Sequence, residues 1–106
     1  MAVTITQLKK MKDEGDKITW LTAYDYSFAH LVDSAGVDAI LVGDSLGMVI
    51  QVHSTPVPVT VEDTCYHIEC VVRGSSNSLI VGDMPFGSYQ LSKEQAYANA
   101  TKLMQA

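Results

Sequence analysis

Residues 37–44 have the sequence VDAILVGD, a mostly apolar run that ends in a glycine and an aspartate. Residues 79–83 repeat this ending as LIVGD. A short apolar run without regular polar positions is typical of a strand that is buried on both faces, as in a parallel sheet. The two runs therefore predict two successive strands of one architecture, over residues 37–42 and 79–82.

Helix signals lie between these strands and on either side of them. Capping boxes, in which Ser or Thr precedes Gln or an acidic residue by three positions, predict three helix starts: Thr4 with Gln7, Thr60 with Asp63, and Ser92 with Gln95. Asp25 or Ser27 can begin another helix, and Gly15 can end the first one in a left-handed conformation.

The resulting order of elements is α-βα-βα-βα, with a first strand over residues 17–23 and a long loop over residues 45–58. Such an alternation predicts an α/β fold with a parallel sheet and helical crossovers. The helix after Thr60 has a predicted apolar stripe, formed by Val61, Cys65, Ile68 and Val72.

Composition narrows the classes of function. The chain has 106 residues, of which 47% are hydrophobic and 18% charged, as in one globular domain. The net charge of −5 argues against nucleic acid and anionic membranes as partners. No apolar run approaches the roughly 20 residues of a membrane span, and the N-terminus lacks a secretory signal. Two cysteines on one predicted helix, facing different directions, indicate a reduced, cytoplasmic protein.

Two aspartates follow the apolar strands directly. Asp44 and Asp83 each come after a glycine, which allows a ligand to approach the backbone closely. Active-site groups of parallel α/β folds lie at the carboxyl ends of strands, and neighbouring strands are about 4.8 Å apart. Two such carboxylates can share one hard cation, most commonly Mg²⁺. The alternative is that each aspartate is a turn former or a helix cap, and that interpretation is retained for Asp25.

Other polar residues near the strand ends have open interpretations. Ser45 can hold an anionic ligand or can be an ordinary turn serine. His53 lies in a loop between prolines, as a ligand or as a loop hydrogen-bonder, while His30 and His67 are expected at helix surfaces or in packing. Three tyrosines that follow strands can line a pocket or pack at its rim: Tyr24, Tyr26 and Tyr89.

Four sequence blocks in this order and spacing carry a resemblance to a known family. They are TAYDYSFA at 22–29, LVGDSLGM at 41–48, PVT at 58–60 and DMPF at 83–86. Together they resemble the ketopantoate hydroxymethyltransferase family across nearly the whole chain. The sequence around His53 departs from the usual form of the family, so no role is carried over to that histidine.

The resemblance implies a (β/α)₈ TIM barrel that assembles into a homodecamer. Residues 1–106 would be the N-terminal portion of this single domain, with the N-terminal helix and about three βα units. The implied reaction transfers a hydroxymethyl group from 5,10-methylenetetrahydrofolate to 3-methyl-2-oxobutanoate, giving 2-dehydropantoate in pantothenate synthesis. Asp44 and Asp83 would bind Mg²⁺, and Asp44, Ser45 and Asp83 would contact the ketoacid. The catalytic base is expected beyond Ala106, so no catalytic residue is assigned here.

Alternatives to this activity remain. A typical (β/α)₈ barrel takes about 250 residues, so the chain is expected to be a truncation or natural fragment that is inactive alone. The open sheet edge is expected to favour self-association. A related Mg²⁺-dependent barrel lyase or mutase acting on 2-oxo acids, and a non-catalytic interaction module, are the other hypotheses.

Overall fold

The computed structural model describes residues 2–106 and has a three-stranded parallel sheet with helices packed against it. The elements are α1 (Ile5–Glu14), β1 (Trp20–Thr22), α2 (Tyr26–Ser34), β2 (Ala39–Val42), α3 (Leu46–Val49), α4 (Val61–Gly74), β3 (Leu79–Gly82) and α5 (Lys93–Gln105). The strand order is β1-β2-β3, and both neighbouring pairs are parallel. The predicted α/β class, alternation and parallel sheet are therefore confirmed.

The outer strands leave two sheet edges uncovered by further strands of residues 2–106. All three residues of β1 are exposed, and Trp20 retains 47% of its accessible surface. None of the helices in the described part of the chain combines the length and apolar character of a bilayer-spanning segment. The predicted open edge is thus present at β1 and at β3.

Strand β1 is shorter than predicted at both ends, and β2 begins later than predicted. Side chains bridge the positions that precede these two strands. The Thr19 N–H donates to Asp38 Oδ2 over 2.9 Å, and the Asp38 N–H donates to Thr19 Oγ1 over 2.9 Å. The Asp38 N–H also donates to the Thr19 carbonyl oxygen over 3.2 Å, so side-chain and backbone bonds together join these positions. Strand β3 coincides with its predicted range, 79–82.

The predicted loop over residues 45–58 contains the short helix α3. The side chain of Leu46 is fully buried, and a β-carbon at Gly47 would lie only 2.5 Å from Val59 Cγ2. Packing of the loop against these two residues therefore explains the helical turn, which has no side-chain cap in its favour. Tertiary burial of this kind leaves no local sequence signal.

Helix α4 buries a slightly different face from the predicted stripe. Its buried positions include Thr64, Ile68 and Val71, whereas Val72 is 42% exposed. The cause is a close approach to α2, since a β-carbon at Gly74 would lie 2.5 Å from the Tyr26 carbonyl oxygen. Close packing against α2 selects the face of α4 that includes Val71, so the predicted place of Val72 in the stripe is wrong.

Both cysteines of the chain are free and half-buried. Burial raises the pKa of the Cys65 thiol, and the neighbouring carboxylates of Glu62 and Glu69 raise it further. A thiol with a raised pKa is a weak nucleophile, because the thiolate is the reactive form. Cys65 therefore acts as a small packing residue.

Most of the predicted helix caps are confirmed. The boxes at Thr4 and Thr60 are reciprocal, and Asp25 Oδ1 accepts from the Phe28 N–H over 2.7 Å. Gly15 ends α1 with a φ of 78°. At α5 only one of the two bonds of the predicted capping box is present. Ser92 caps the helix, but the Gln95 side chain accepts from the Leu91 N–H instead.

Asp33, near the end of α2, is a buried carboxylate that the sequence pattern did not single out. It is 5% exposed and accepts hydrogen bonds from the turn between α4 and β3. The donors are the N–H groups of Ser76, Asn77 and Ser78, the hydroxyls of Ser75 and Ser76, and the Asn77 amide. Burial alone would raise the pKa of Asp33, but these bonds outweigh it and the pKa lies well below its usual range.

Replacing Asp33 tests how strongly this turn depends on the carboxylate. Asp33→Ala would leave several backbone N–H groups without an acceptor, so we expect the free energy of unfolding to fall by about 3 kcal/mol or more. Urea denaturation of the variant measures this loss. Asp16→Ala, at an exposed position, is the control and should change stability by less than about 0.5 kcal/mol.

The lowered pKa also fixes the direction of a pH effect. A carboxylate with a lower pKa in the folded state stabilises the protein above its unfolded pKa of about 3.9, and this contribution is lost as the pH falls further. The stability difference between the wild-type chain and Asp33→Asn should therefore shrink as the pH falls below about 4. A difference that stayed constant down to pH 2 would contradict this origin.

Val52, in the loop after α3, has an unfavourable backbone conformation. Its φ is 63°, in the left-handed region that β-branched residues rarely adopt, and its side chain is 82% exposed. Such a side chain contributes little burial to offset the strain. The local conformation therefore costs stability at this position.

Val52→Gly should raise the free energy of unfolding by about 1 kcal/mol, because relief of left-handed strain exceeds the entropy that glycine adds to the unfolded chain. Thermal and urea unfolding measure the gain. Val57→Gly, at an exposed valine without positive φ, is the matched control and should not stabilise the chain. A loss of stability in Val52→Gly would show that the strain is absent.

Candidate functional site

The carboxyl ends of the three strands form one row of residues. The strand pairings match Thr22 with Leu41 and Val42 with Gly82. Continued two residues beyond the first pair and one residue beyond the second, this register aligns Tyr24, Gly43 and Asp83. The ladder extends towards this row, since the Asp83 N–H donates to the Val42 carbonyl oxygen over 2.9 Å.

The row faces away from the helices. Ala23 and Val42, one step earlier, belong to the apolar core with residues of α2 and α4. A β-carbon at Gly82 would lie 2.6 Å from Ile68 Cδ1, so that position also faces α4. Successive residues of a strand point to opposite faces. Tyr24 and Asp83 therefore lie on the face that the helix layer leaves free.

Gly43 provides space between these side chains. A β-carbon placed on Gly43 would lie 3.5 Å from both Cβ and Oδ2 of Asp83. The Asp83 carboxylate thus lies over the backbone of Gly43, the residue that directly precedes Asp44. Without a side chain at position 43, a small ligand can approach this carboxylate from the centre of the row.

The side chains of Asp44 and Asp83 do not act as helix caps, although Asp44 lies in the turn before α3, as its alternative interpretation expects. The side-chain caps in the described chain come from other residues: Thr4, Asp25, Thr60 and Ser92. Asp44 is half-buried, and neither its carboxylate nor that of Asp83 accepts a hydrogen bond from residues 2–106. The oxygen atoms of both carboxylates remain available to a ligand.

The Ser45 side chain contacts the segment after β1 rather than its own helix. Its Oγ lies 2.6 Å from the hydroxyl oxygen of Tyr24. Ser45 is the N-cap residue of α3, yet it makes no side-chain cap bond to that helix. Ser45 lies in the turn before α3, as the alternative interpretation expects, and its side chain also contacts Tyr24.

His67 fixes the backbone of Tyr24 from α4. Its Nδ1 lies 2.6 Å from the Tyr24 carbonyl oxygen, and since a carbonyl only accepts, Nδ1–H is the donor. The ring also packs edge-on against Tyr66. His67 is thus a packing residue, as predicted, with a supporting contact to the site that the sequence did not reveal.

A cavity of about 200 Å³ lies next to Tyr24, between α2 and α3. Its apolar walls include Phe28, Val49 and Ile50. Such a cavity suits a hydrocarbon or aromatic group, held close to the polar row at the strand ends.

The other histidines lie outside this arrangement. His53 is exposed, and its backbone N–H donates to the Gly47 carbonyl over 2.8 Å, while its side chain has no hydrogen bond within residues 2–106. His30 is exposed on α2 and stacks on Tyr26. His30 therefore belongs to the helix surface, as expected.

The donor set at the strand ends consists of oxygen atoms only. Within the described residues there is no group of three or more His, Cys, Asp or Glu side chains arranged to hold a metal ion. Two carboxylates with a neighbouring hydroxyl match the preference of a hard cation such as Mg²⁺, which usually keeps several water ligands. Asp44 and Asp83 therefore stay the predicted ligands of such an ion.

Comparison with known proteins identifies the family of the chain. A family model described as ketopantoate hydroxymethyltransferase matches residues 2–106. A 3-methyl-2-oxobutanoate hydroxymethyltransferase of Neisseria gonorrhoeae (strain NCCP11945) is 58% identical over 104 residues, which cover 98% of this chain and 40% of that protein. The protein of the same name from Janthinobacterium sp. (strain Marseille) is 58% identical over 105 residues, 99% of this chain and 38% of its own length.

A third relative with this name, from Azoarcus sp. (strain BH72), is 59% identical over 104 residues, 98% of this chain and 38% of that protein. The chain spans about two fifths of the length of these curated relatives. Because the family model extends over all the residues that the structure describes, the chain belongs to the ketopantoate hydroxymethyltransferase family.

Proposed function

We propose that this chain is the first part of a (β/α)₈ barrel enzyme that transfers a hydroxymethyl group to 3-methyl-2-oxobutanoate. The one-carbon donor is 5,10-methylenetetrahydrofolate, water supplies the hydroxyl oxygen, and the product is 2-dehydropantoate of pantothenate synthesis. The observation that carries the proposal is the row of Tyr24, Gly43 and Asp83, with Asp44 and Ser45 next along the chain. The proposal includes the homo-oligomer of the family and a cytoplasmic location, which two free cysteines suit.

Asp44 and Asp83 would hold Mg²⁺ at the carboxyl ends of β2 and β3. Their fit to this ion is supported by the position of the Asp83 carboxylate over Gly43, where a β-carbon would fill the space beside Oδ2. It is also supported by the carboxylate oxygens of Asp44 and Asp83, which accept no hydrogen bond from residues 2–106. When bound, Mg²⁺ would supply positive charge beside the ketone oxygen and so favour loss of the neighbouring proton.

The chain's own residues would bind and orient the ketoacid. Ser45 Oγ lies at the strand ends, where its hydroxyl can donate to the ketoacid carboxylate. The apolar cavity beside Tyr24 can accept the branched alkyl end of the same molecule. Orientation by these contacts lowers the barrier, because the reacting groups then meet in productive geometry.

Removal of the proton is not assigned to a residue of this chain. The side chains described at the strand ends include two carboxylates that would serve as metal ligands, and a ligand carboxylate is a poor general base. We therefore propose that residues 1–106 supply binding groups, and that the base comes from a part of the barrel to which this chain does not correspond. A catalytically incomplete fragment remains the alternative for the chain acting alone.

Titration calorimetry of Mg²⁺ and 3-methyl-2-oxobutanoate into the chain tests the binding role. We expect Mg²⁺-dependent ketoacid binding, and a loss of at least about tenfold in Asp44→Asn and Asp83→Asn, because each removes a charged ligand. Gly43→Ala should fold, since its methyl group would meet Asp83 at an ordinary 3.5 Å, but should also weaken binding.

Asp13→Asn is the matched control for these variants. Asp13 is an exposed carboxylate on α1, engaged with Lys9, and its replacement should leave ketoacid binding unchanged. Equal binding by the wild-type chain, Asp44→Asn and Asp83→Asn would remove the metal role. Binding without Mg²⁺ would do the same.

Deuterium exchange at carbon 3 of the ketoacid tests the missing base. With Mg²⁺ present, we expect the chain alone to give no exchange above the rate in buffer containing Mg²⁺, as measured by proton NMR. A full-length relative such as the Neisseria gonorrhoeae protein is the positive control. Exchange catalysed by the 106-residue chain would show that it contains the base, and would overturn the assignment to another part of the barrel.

A further inference from the structure

The hydroxyl of Ser45 is held by one side chain from a different strand end. Its Oγ lies 2.6 Å from the Tyr24 hydroxyl oxygen, a short distance for a bond between hydroxyl groups. Serine at an N-cap ordinarily accepts from the backbone of its own helix, and Ser45 does not. Tyr24 is therefore the group that fixes the direction of the Ser45 hydroxyl.

Tyr24 itself is supported by the core of the fold. The Nδ1–H of His67 donates to its carbonyl oxygen over 2.6 Å, which ties it to α4. The preceding residue, Ala23, is buried, and its N–H donates to the Leu41 carbonyl oxygen of β2. With its backbone fixed on both sides, Tyr24 can hold its phenol group in one place at low entropic cost.

We propose that Tyr24 is a positioning residue for the ketoacid and acts through Ser45. The inference rests on the proposed function, in which Ser45 contacts the ketoacid carboxylate. A carboxylate only accepts hydrogen bonds, so Ser45 must use its single O–H to donate to it. The Ser45 oxygen then accepts from Tyr24, and the two hydroxyls form a directed chain in which each bond strengthens the next.

This chain of hydroxyls separates ketoacid binding from metal binding. Tyr24 is hydrogen-bonded to Ser45 and His67, and within residues 2–106 it has no hydrogen bond to Asp44 or Asp83. Loss of the Tyr24 hydroxyl should therefore weaken the ketoacid contact while the affinity for the metal ion stays the same. A merely structural role would lower both affinities together.

Tyr24→Phe removes the hydroxyl and keeps the ring that lines the cavity. In calorimetry at saturating Mg²⁺, its affinity for 3-methyl-2-oxobutanoate should fall about fivefold to tenfold, the usual effect of one hydrogen bond. Its affinity for Mg²⁺ alone should equal that of the wild-type chain. Tyr26→Phe is the matched control, because Tyr26 is 55% exposed and stacks on His30, and it should change neither affinity.

A double-mutant cycle identifies the route through Ser45. If Tyr24 acts through that residue, Tyr24→Phe combined with Ser45→Ala should bind the ketoacid no more weakly than Ser45→Ala alone. Losses that multiply would overturn the inference, as would a fall in Mg²⁺ affinity in Tyr24→Phe. Wild-type ketoacid affinity in Tyr24→Phe would overturn the inference and leave the proposed function intact.

Thermal unfolding of the same four forms without ligand tests the hydrogen bond itself. We expect the shifts in Tm of the two single variants to be non-additive in the double variant, because they remove the same bond. Additive shifts would overturn the inference whatever the binding results. Failure of the wild-type chain to bind ketoacid, with non-additive shifts intact, would overturn the proposed function and with it the ligand role of Tyr24.

Discussion

The carboxylate of Asp33 is the interaction on which the placement of the third strand depends. It gathers the donors of residues 75–78 into one turn, directly before β3 begins. A buried charge with this many donors is stable only when they are all in place, so the turn has one conformation. The pair Thr19 and Asp38 does the same between the starts of β1 and β2. The amino ends of the strands are thus fixed by acidic side chains.

At the carboxyl ends of the strands, aspartates have a different arrangement. There, Asp44 and Asp83 keep their oxygen atoms free of donors from the described chain, while Gly43 leaves space between the strands. The strand register that is set at the amino ends continues through four-residue strands to the carboxyl ends. The hydrogen bonds at the amino ends therefore also determine which residues lie side by side at the carboxyl ends. The stabilising hydrogen bonds of the acidic residues thus lie at one end of this short sheet, and the predicted ligand residues lie at the other, as is common in parallel α/β proteins.

The features that could be predicted from the sequence are those that depend on residues close together in the chain. Apolar runs located β2 and β3, and cap residues such as Thr60 located the helices, because both signals arise from neighbouring residues. The family resemblance and the strand-end positions of Asp44 and Asp83 were also accessible. Contacts between residues distant in sequence were not, and this includes the Asp33 network.

The same limit applies to the candidate site. The hydroxyl contact of Tyr24 with Ser45 joins two strand ends, and no spacing rule relates the two positions. The short helix α3 was missed because burial of Leu46, rather than a cap, stabilises it. For Asp33, the only available signal was its position four residues after Ala29 on α2, a spacing that puts both side chains on the buried face.

Trp20 lies on the outer strand of the sheet, where it keeps 47% of its surface, and it is the single tryptophan of the chain. A strand or neighbouring molecule that packs against the indole ring at this edge removes water from it. The emission wavelength of the indole shifts to the blue when its surroundings lose water. The native fluorescence of the chain is therefore a label-free optical reporter of whatever completes the sheet at β1.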